Sequence, residues 1–265
     1  RDCLVLINGY VVGRNESGYA PFNVDISDFL DYEGGPNQLC LRVDASLGEG
    51  WFYEGAGIYR HVKQVTAHAV HVPPWGTFVR AAPGPAGARV SIATDVANDG
   101  LADARVTIRH EIFAPDGAVV ARIPDAIVAV AAEQRSGHEA EAVIASPRLW
   151  AVETPVLYRL VTTLHVAGAL VDRHETPFGI RSVRFDAQQG FFLNERPLKL
   201  LGTCNHHDHA GVGTAIADRL NAWRVEQLQS MGSNAWRSAH NPPSESLLDA
   251  CDALGMLMIV EARLN

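Results

Sequence analysis

Between Leu200 and Val260 the chain changes its period twice, and that rhythm limits what it can fold into. Three short apolar runs, Leu200–Asn205, Asn234–Ser238 and Met256–Val260, are separated by two stretches with helical spacing. In Asp218–Met231 the residues Leu220, Trp223, Leu228 and Met231 share one side, with Asp218 as N-cap and Gly232 as the stop. In Ser244–Leu254, Leu247, Leu248, Cys251 and Leu254 fall at helical spacing, and Gly255 ends the helix. Strand–helix–strand–helix–strand demands parallel pairing with right-handed crossovers.

Two of the three strands empty into dense polar clusters. The first runs into Asn205-His206-His207-Asp208-His209, the second into Arg237-Ser238-Ala239-His240-Asn241-Pro242-Pro243. In β/α barrels the site is built at the C-terminal ends of the strands, so this is the expected place for imidazole and guanidinium groups. A complete (β/α)8 barrel takes about 250 residues, and the stretch from 183 to 265 supplies only its beginning.

Upstream the signals are all β. Residues 1–72 carry Leu4–Ile7 running into the hairpin turn Asn8-Gly9, then alternating Phe22–Ile26, the strand Gln38–Val43, the aromatic loop Trp51-Phe52-Tyr53 and a strand over His61–His71. This predicts a β-sandwich, with Arg1 lying mid-strand rather than at a natural start. Pro73-Pro74 marks a boundary. From 73 to 182 the alternation returns, with Val106, Ile108, His110 and Ile112 on one face and the turn Ala114-Pro115-Asp116-Gly117 after them. Val156, Tyr158, Leu160, Thr162 and Leu164 repeat the pattern. About seven strands in roughly 100 residues predict an immunoglobulin-like sandwich, with Trp150, Pro155 and Tyr158 as core and corner residues. Trp223 and Met231 are expected in the helical core.

Composition excludes several partners. The formal net charge of −8 provides no basic surface for nucleic acid or an anionic membrane. No apolar run reaches the roughly 18 residues that span a bilayer, and the first residues do not form a signal peptide. The protein is therefore expected to be soluble, with its compartment and oligomeric state open, a homo-oligomer included. Cys3, Cys40, Cys204 and Cys251 are too far apart for a CxxC pair and are expected as free thiols.

At Phe191-Phe192-Leu193-Asn194-Glu195-Arg196-Pro197-Leu198-Lys199-Leu200-Leu201-Gly202 and Asn234-Ala235-Trp236-Arg237-Ser238-Ala239-His240-Asn241-Pro242 the sequence resembles glycoside hydrolase family 2. Ile7-Asn8-Gly9, Asp25-Ile26 and Gly57-Ile58-Tyr59-Arg60 resemble its sugar-binding jelly roll. Pro155–Leu160 and Phe178-Gly179-Ile180-Arg181 resemble its immunoglobulin-like domain. The resemblance implies a multi-domain β plus α/β protein: part of a jelly-roll β-sandwich at 1–72, an immunoglobulin-like β-sandwich at 73–182, and the N-terminal part of a TIM barrel at 183–265. Asn205-His206-His207-Asp208 resembles the β-galactosidase branch, since glucuronidases usually carry Arg at the position of His206. A β-glucuronidase or another family 2 glycosidase is the alternative.

The implied chemistry is hydrolysis of terminal β-galactosides by a retaining double displacement between two Glu residues. Both are expected after Asn265, so the chain as given is expected to be inactive. By the same resemblance His207 and His240 bind sugar hydroxyls, for which a neutral imidazole offers one donor and one acceptor. Asp208, Asn205 and Asn241 join them, and Arg237 supports the nucleophilic carboxylate. Without that carboxylate, Arg237 is expected in solvent or on Glu261 or Asp208. Glu261 itself stands in the family's Asp-Glu pair, with Val260 replacing the Asp. Asn265 occupies a position where some relatives have a magnesium-ligating Glu. No cofactor is assigned; Mg²⁺ or Na⁺ enters only as a property of full-length family enzymes. The expected partner is a β-galactoside or related oligosaccharide.

Two other classes compete. His207-Asp208-His209 is also how some metal-dependent hydrolases begin, though further ligands from later strands would be needed. The chain could instead be a carbohydrate-binding fragment without catalysis. Trp51, Phe52 and Tyr53 fit either sugar stacking or packing between domains, with packing favoured.

Overall fold

In the computed structural model, which describes residues 2–46 and 56–262, the chain forms β sheets up to residue 205 and then changes to alternating strands and helices. The Trp51-Phe52-Tyr53 reading and Asn265 lie outside the described residues.

The first region is a three-stranded antiparallel sheet of β1 (Cys3–Ile7), β2 (Tyr10–Asn15) and β3 (Leu39–Val43), with β1 in the centre. Asn8 and Gly9, both at positive φ, make the tight turn between β1 and β2 as the Asn-Gly pair predicts. The Asn8 side chain also holds the far end of the sheet, donating to the Phe29 carbonyl at 2.8 Å and accepting from the Gln38 N–H at 2.8 Å. Two expected strands differ: Phe22–Ile26 is irregular, and of His61–His71 only Val70–His71 enters a sheet. The side chains from His61 to Ala69 are exposed, so no buried face holds a ladder there; His61 and Lys63 reach the carboxylates of Asp218 and Glu245 instead.

The second region is a β-sandwich. One sheet has β6 (Gly87–Asn98) between β9 (Gln134–Ile144) on one edge and β4 (Val70–His71) and β5 (Thr77–Gly84) on the other. The facing sheet runs β11-β10-β7-β8, from β7 (Ala104–Phe113), β8 (Val119–Val130), β10 (Leu157–Val166) and β11 (Ala169–Gly179). Alternation places Val106, Ile108, His110 and Ile112 inward, all buried, as the period predicts. Tyr158 packs into the same core.

The interior is not uniformly apolar. One cluster holds Val90, Ile92, Ile112, Leu160 and Phe178, the other Val96, Val106, Ile108, Val130 and Leu164. Between them lies a polar row. Thr162 is paired with His110 across β10 and β7, and Thr94 with His138 across β6 and β9. The two imidazoles stack across the sandwich, centroids 6.1 Å apart and nearly parallel, and His110 Nδ1 lies 3.0 Å from the Thr162 hydroxyl.

A small antiparallel sheet of β12 (Val183–Asp186), β13 (Gly190–Leu193) and β14 (Arg196–Pro197) leads into the last region. There β15 (Gly202–Asn205), β16 (Ala235–Ser238) and β17 (Leu257–Ile259) pair in parallel, with α1 (Asp218–Ser230) and α2 (Glu245–Leu254) as the crossovers. Trp236 and Ser238 are buried on the helix side, where Trp236 packs with Val225, Leu247, Cys251 and Met256. Truncating such a tryptophan costs about 3–5 kcal/mol. Arg237, between them, points to the other face.

The helices differ from expectation in detail. Asp218 is the first helical residue of α1 rather than its cap, and its carboxylate pairs with His61 at 2.9 Å. Trp223 and Met231 are largely exposed, not core. The buried line of α1 passes through Asn221 and Val225, which puts Trp223 well around the helix from it, while Met231 is already the cap. Trp223 instead meets the edge of His209, centroids 5.8 Å apart.

Trp150 belongs to a different core from the one expected. It is buried against Leu193, Ala235 and Leu257, between the sandwich and the parallel sheet, and its indole N–H donates to the Asp252 carbonyl at 2.8 Å. Gly255 completes this contact. It ends α2 at positive φ, and a Cβ there would collide with the Val152 carbonyl.

Candidate functional site

Parallel pairing brings the two polar clusters to one rim. Register sets Asn205 beside Ser238 and Cys204 beside Arg237, so the loops after β15 and β16 leave together. The Arg237 guanidinium donates to Cys204 Sγ at 3.1 Å and forms an ion pair with Glu261. The second oxygen of Glu261 lies 2.8 Å from His240 Nδ1. An ionised carboxylate only accepts, so Nδ1–H of His240 is the donor. The Glu261 backbone N–H donates to the Ser238 hydroxyl at 2.9 Å, which fixes the carboxylate at the strand end.

His207 occupies a more enclosed place. Its ring meets the edge of Tyr19 at a centroid distance of 5.2 Å and lies 6.0 Å from Tyr59. Burial above all, then the Arg60 charge, lowers its pKa to about 4, against the opposing pull of Asp208 and a hydrogen bond with Asn241. At neutral pH the imidazole is therefore uncharged, the state suited to hydroxyl groups. Asn241 is buried. The ring of His206 packs edge-on against His240 at 5.5 Å, and its carbonyl accepts from Arg224 at 2.6 Å.

Not every predicted residue converges. The Asn205 side chain turns back along its own strand, donating to the Thr203 carbonyl and accepting from the Thr203 hydroxyl. Asp208 is half-buried and acts on His207 through its charge. His207 and His209 face different aromatic neighbours, Tyr19 and Tyr59 for one and Trp223 for the other. Among the described residues no group of three or more His, Cys, Asp or Glu side chains is gathered as metal ligands. Among the same residues no helix is long and apolar enough to cross a membrane.

Sequence reasoning missed the contribution of the first region. Tyr59 donates to the Gly18 carbonyl at 2.6 Å, and Arg60 donates to the carbonyls of Tyr19 and Pro242 at 2.5 and 2.9 Å. The available signal was Gly57-Ile58-Tyr59-Arg60, an aromatic–arginine pair in a glycine-marked loop.

Two regions match sequence models of known families: Glycosyl hydrolases family 2 at residues 75–181, and the TIM barrel domain of Glycosyl hydrolases family 2 at residues 185–265. Among curated proteins, the chain is 36% identical to β-galactosidase BoGH2A of Bacteroides ovatus, over 97% of this chain and 30% of that protein. Among solved structures, a family 2 glycosyl hydrolase of Bacteroides cellulosilyticus is 35% identical with a TM-score of 0.88, covering 98% of this chain and 36% of the other. Bacteroides uniformis β-glucuronidase 2, covalently bound to a cyclophellitol-6-carboxylate aziridine, is 31% identical with a TM-score of 0.89, covering 99% and 33%. The chain thus spans about a third of the length of these relatives. With its immunoglobulin-like sandwich, its opening barrel strands and matching models over both, the chain belongs to glycoside hydrolase family 2.

Proposed function

We propose that this chain serves the hydrolysis of terminal β-galactosides by a retaining double displacement. His207, His240 and Asn241 hold hydroxyls of the terminal sugar, with Asp208 and Asn205 at the edge of the same rim. The observation that carries this reading is the convergence of a neutral, enclosed His207 and a carboxylate-oriented His240 at adjacent strand ends. The likeness to BoGH2A supports it.

In this chemistry one carboxylate attacks the anomeric carbon while a second carboxylic acid protonates the departing oxygen. Water, deprotonated by the second group, then breaks the glycosyl ester and frees the sugar with its configuration retained. Arg237 suits the support of such a nucleophile through charge-assisted hydrogen bonds. The two carboxyl groups must stand about 5–5.5 Å apart. Glu261 pairs with Arg237 and His240, but a single carboxylate cannot fill both roles, so residues 1–265 alone are expected not to turn over substrate.

The second reading is a β-glucuronidase, favoured by relatives of that name from Formosa agariphila and Bacteroides uniformis. His206, where glucuronidases usually carry Arg, speaks for the galactoside. The test uses nitrophenyl β-galactoside and β-glucuronide. The 265-residue chain is expected to be silent on both. A longer polypeptide that includes it is expected to prefer the galactoside and to lose at least tenfold in kcat/KM on His240→Ala with an unchanged melting temperature. Turnover by residues 1–265, or preference for the glucuronide, would overturn the corresponding part of the proposal.

A further inference from the structure

Tyr59 and Arg60 come from the first β region, yet they touch both loops of the barrel rim. The Arg60 guanidinium bridges two backbone carbonyls that are distant in sequence: Tyr19, beside the His207 ring, and Pro242, two residues after His240. Its cation also lies 5.2 Å from the centre of the Tyr59 ring. Tyr59 is in turn fixed by its hydroxyl on the Gly18 carbonyl. The His207 ring has Tyr19 edge-on and Tyr59 tilted against it, and Asn241, next to Pro242, is its hydrogen-bond partner.

We propose that Tyr59 and Arg60 are positioning residues for His207, clamping its imidazole and the His240–Pro242 loop into one rigid sugar-holding unit. This rests on the sugar-binding role proposed for the rim. A planar guanidinium with donors in a fixed fork can hold two carbonyls at a set separation, which a flexible ammonium does not do. Among the described residues, the charged and titratable groups facing His207 are Tyr19, Tyr59 and Arg60 from the first region, and His206 and Asp208 from its own loop. The clamp keeps His207 enclosed, and enclosure is the main cause of its low pKa.

The test is an NMR titration of the imidazoles in the 265-residue chain, with His207 assigned through His207→Gln. In the unaltered chain His207 is expected to take up its proton only near pH 4. Arg60→Gln and Arg60→Lys are both expected to move that midpoint up by roughly one unit or more, towards the ordinary histidine value. If Arg60→Lys titrates like the unaltered chain, Arg60 acts as charge alone and the clamp is wrong. Tyr59→Phe removes only the hydroxyl and tests the second residue should the arginine variants not fold. It is expected to change the ring-current shift of His207, and an unchanged shift would overturn the proposal. Saturation transfer from galactose to His207 is read in the same samples. Its absence would count against the sugar-binding role while leaving the titration result to judge the clamp.

Discussion

Glu261 accepts from His240 Nδ1 across 2.8 Å, and the same carboxylate holds Arg237. One acid therefore sets the orientation of two side chains at the rim, one on β16 and one in the loop that follows it. Glu261→Gln keeps the shape and removes the charge. Because Arg237 is 38% exposed, solvent screens the pair, and only a small loss of stability is expected. Urea unfolding checks this, and the difference between the two proteins should narrow at about 0.5 M salt.

Acid should weaken the sandwich through His110. Burial, and then the neighbouring His138, lowers its pKa to about 4, whereas the unfolded chain titrates near 6.5. The folded state thus prefers the neutral ring. Its contribution is complete above about pH 6.5 and is lost as the pH falls towards 4, where the loss is on the order of 3 kcal/mol. His207, lowered in the same direction, adds to the slope. Urea unfolding at pH 7 and about pH 4.5 should show the fall, and His110→Leu should flatten it.

Gly255→Ala should be costly in two ways. The residue needs a left-handed φ of +82°, and its Cβ would meet the Val152 carbonyl. Left-handed strain of about 1–2 kcal/mol, with the shift needed to clear the clash, should lower stability by about 2 kcal/mol or more. Thermal and urea unfolding measure it. An alanine here that melts like the unaltered protein would contradict the close packing of the α2 terminus on the sandwich.

The four cysteines should divide evenly in a thiol-exchange assay. Cys40 and Cys204 are exposed, Cys3 and Cys251 buried, and burial raises the Cys251 thiol to about 12. Two thiols are expected to react quickly with a disulfide reagent at about pH 8 and two only on unfolding, since the thiolate is the reacting form.

Much of this was legible in the sequence because local chemistry determined it. Asn8-Gly9 and Gly255 are turn and cap residues by their own conformational freedom, and the inward row from Val106 to Ile112 follows from strand period alone. What could not be read depended on partners distant in sequence. His61–His71 reads as a strand, but His61 and Lys63 pair with residues of two helices more than 150 residues later. Trp150 has the look of a sandwich core residue, and only the docking of the barrel strands gives it Leu193, Ala235 and Leu257 as neighbours. At the site, the strand-end histidines announced themselves. The Tyr59–Arg60 contact did not, because its acceptors are backbone carbonyls, which leave no trace in composition.

The four residues of β16 give two different tasks to alternate positions. Trp236 holds the sheet to its helices, and the buried Ser238 anchors the Glu261 backbone, while Arg237 between them serves the rim. Selection for a packed interior and selection for chemistry therefore act on neighbouring codons without competing for either. A shift of the strand by a single residue would exchange the two duties at once, placing the indole at the rim and the guanidinium in the core. Neither face of the strand has a spare position to absorb an error made by the other.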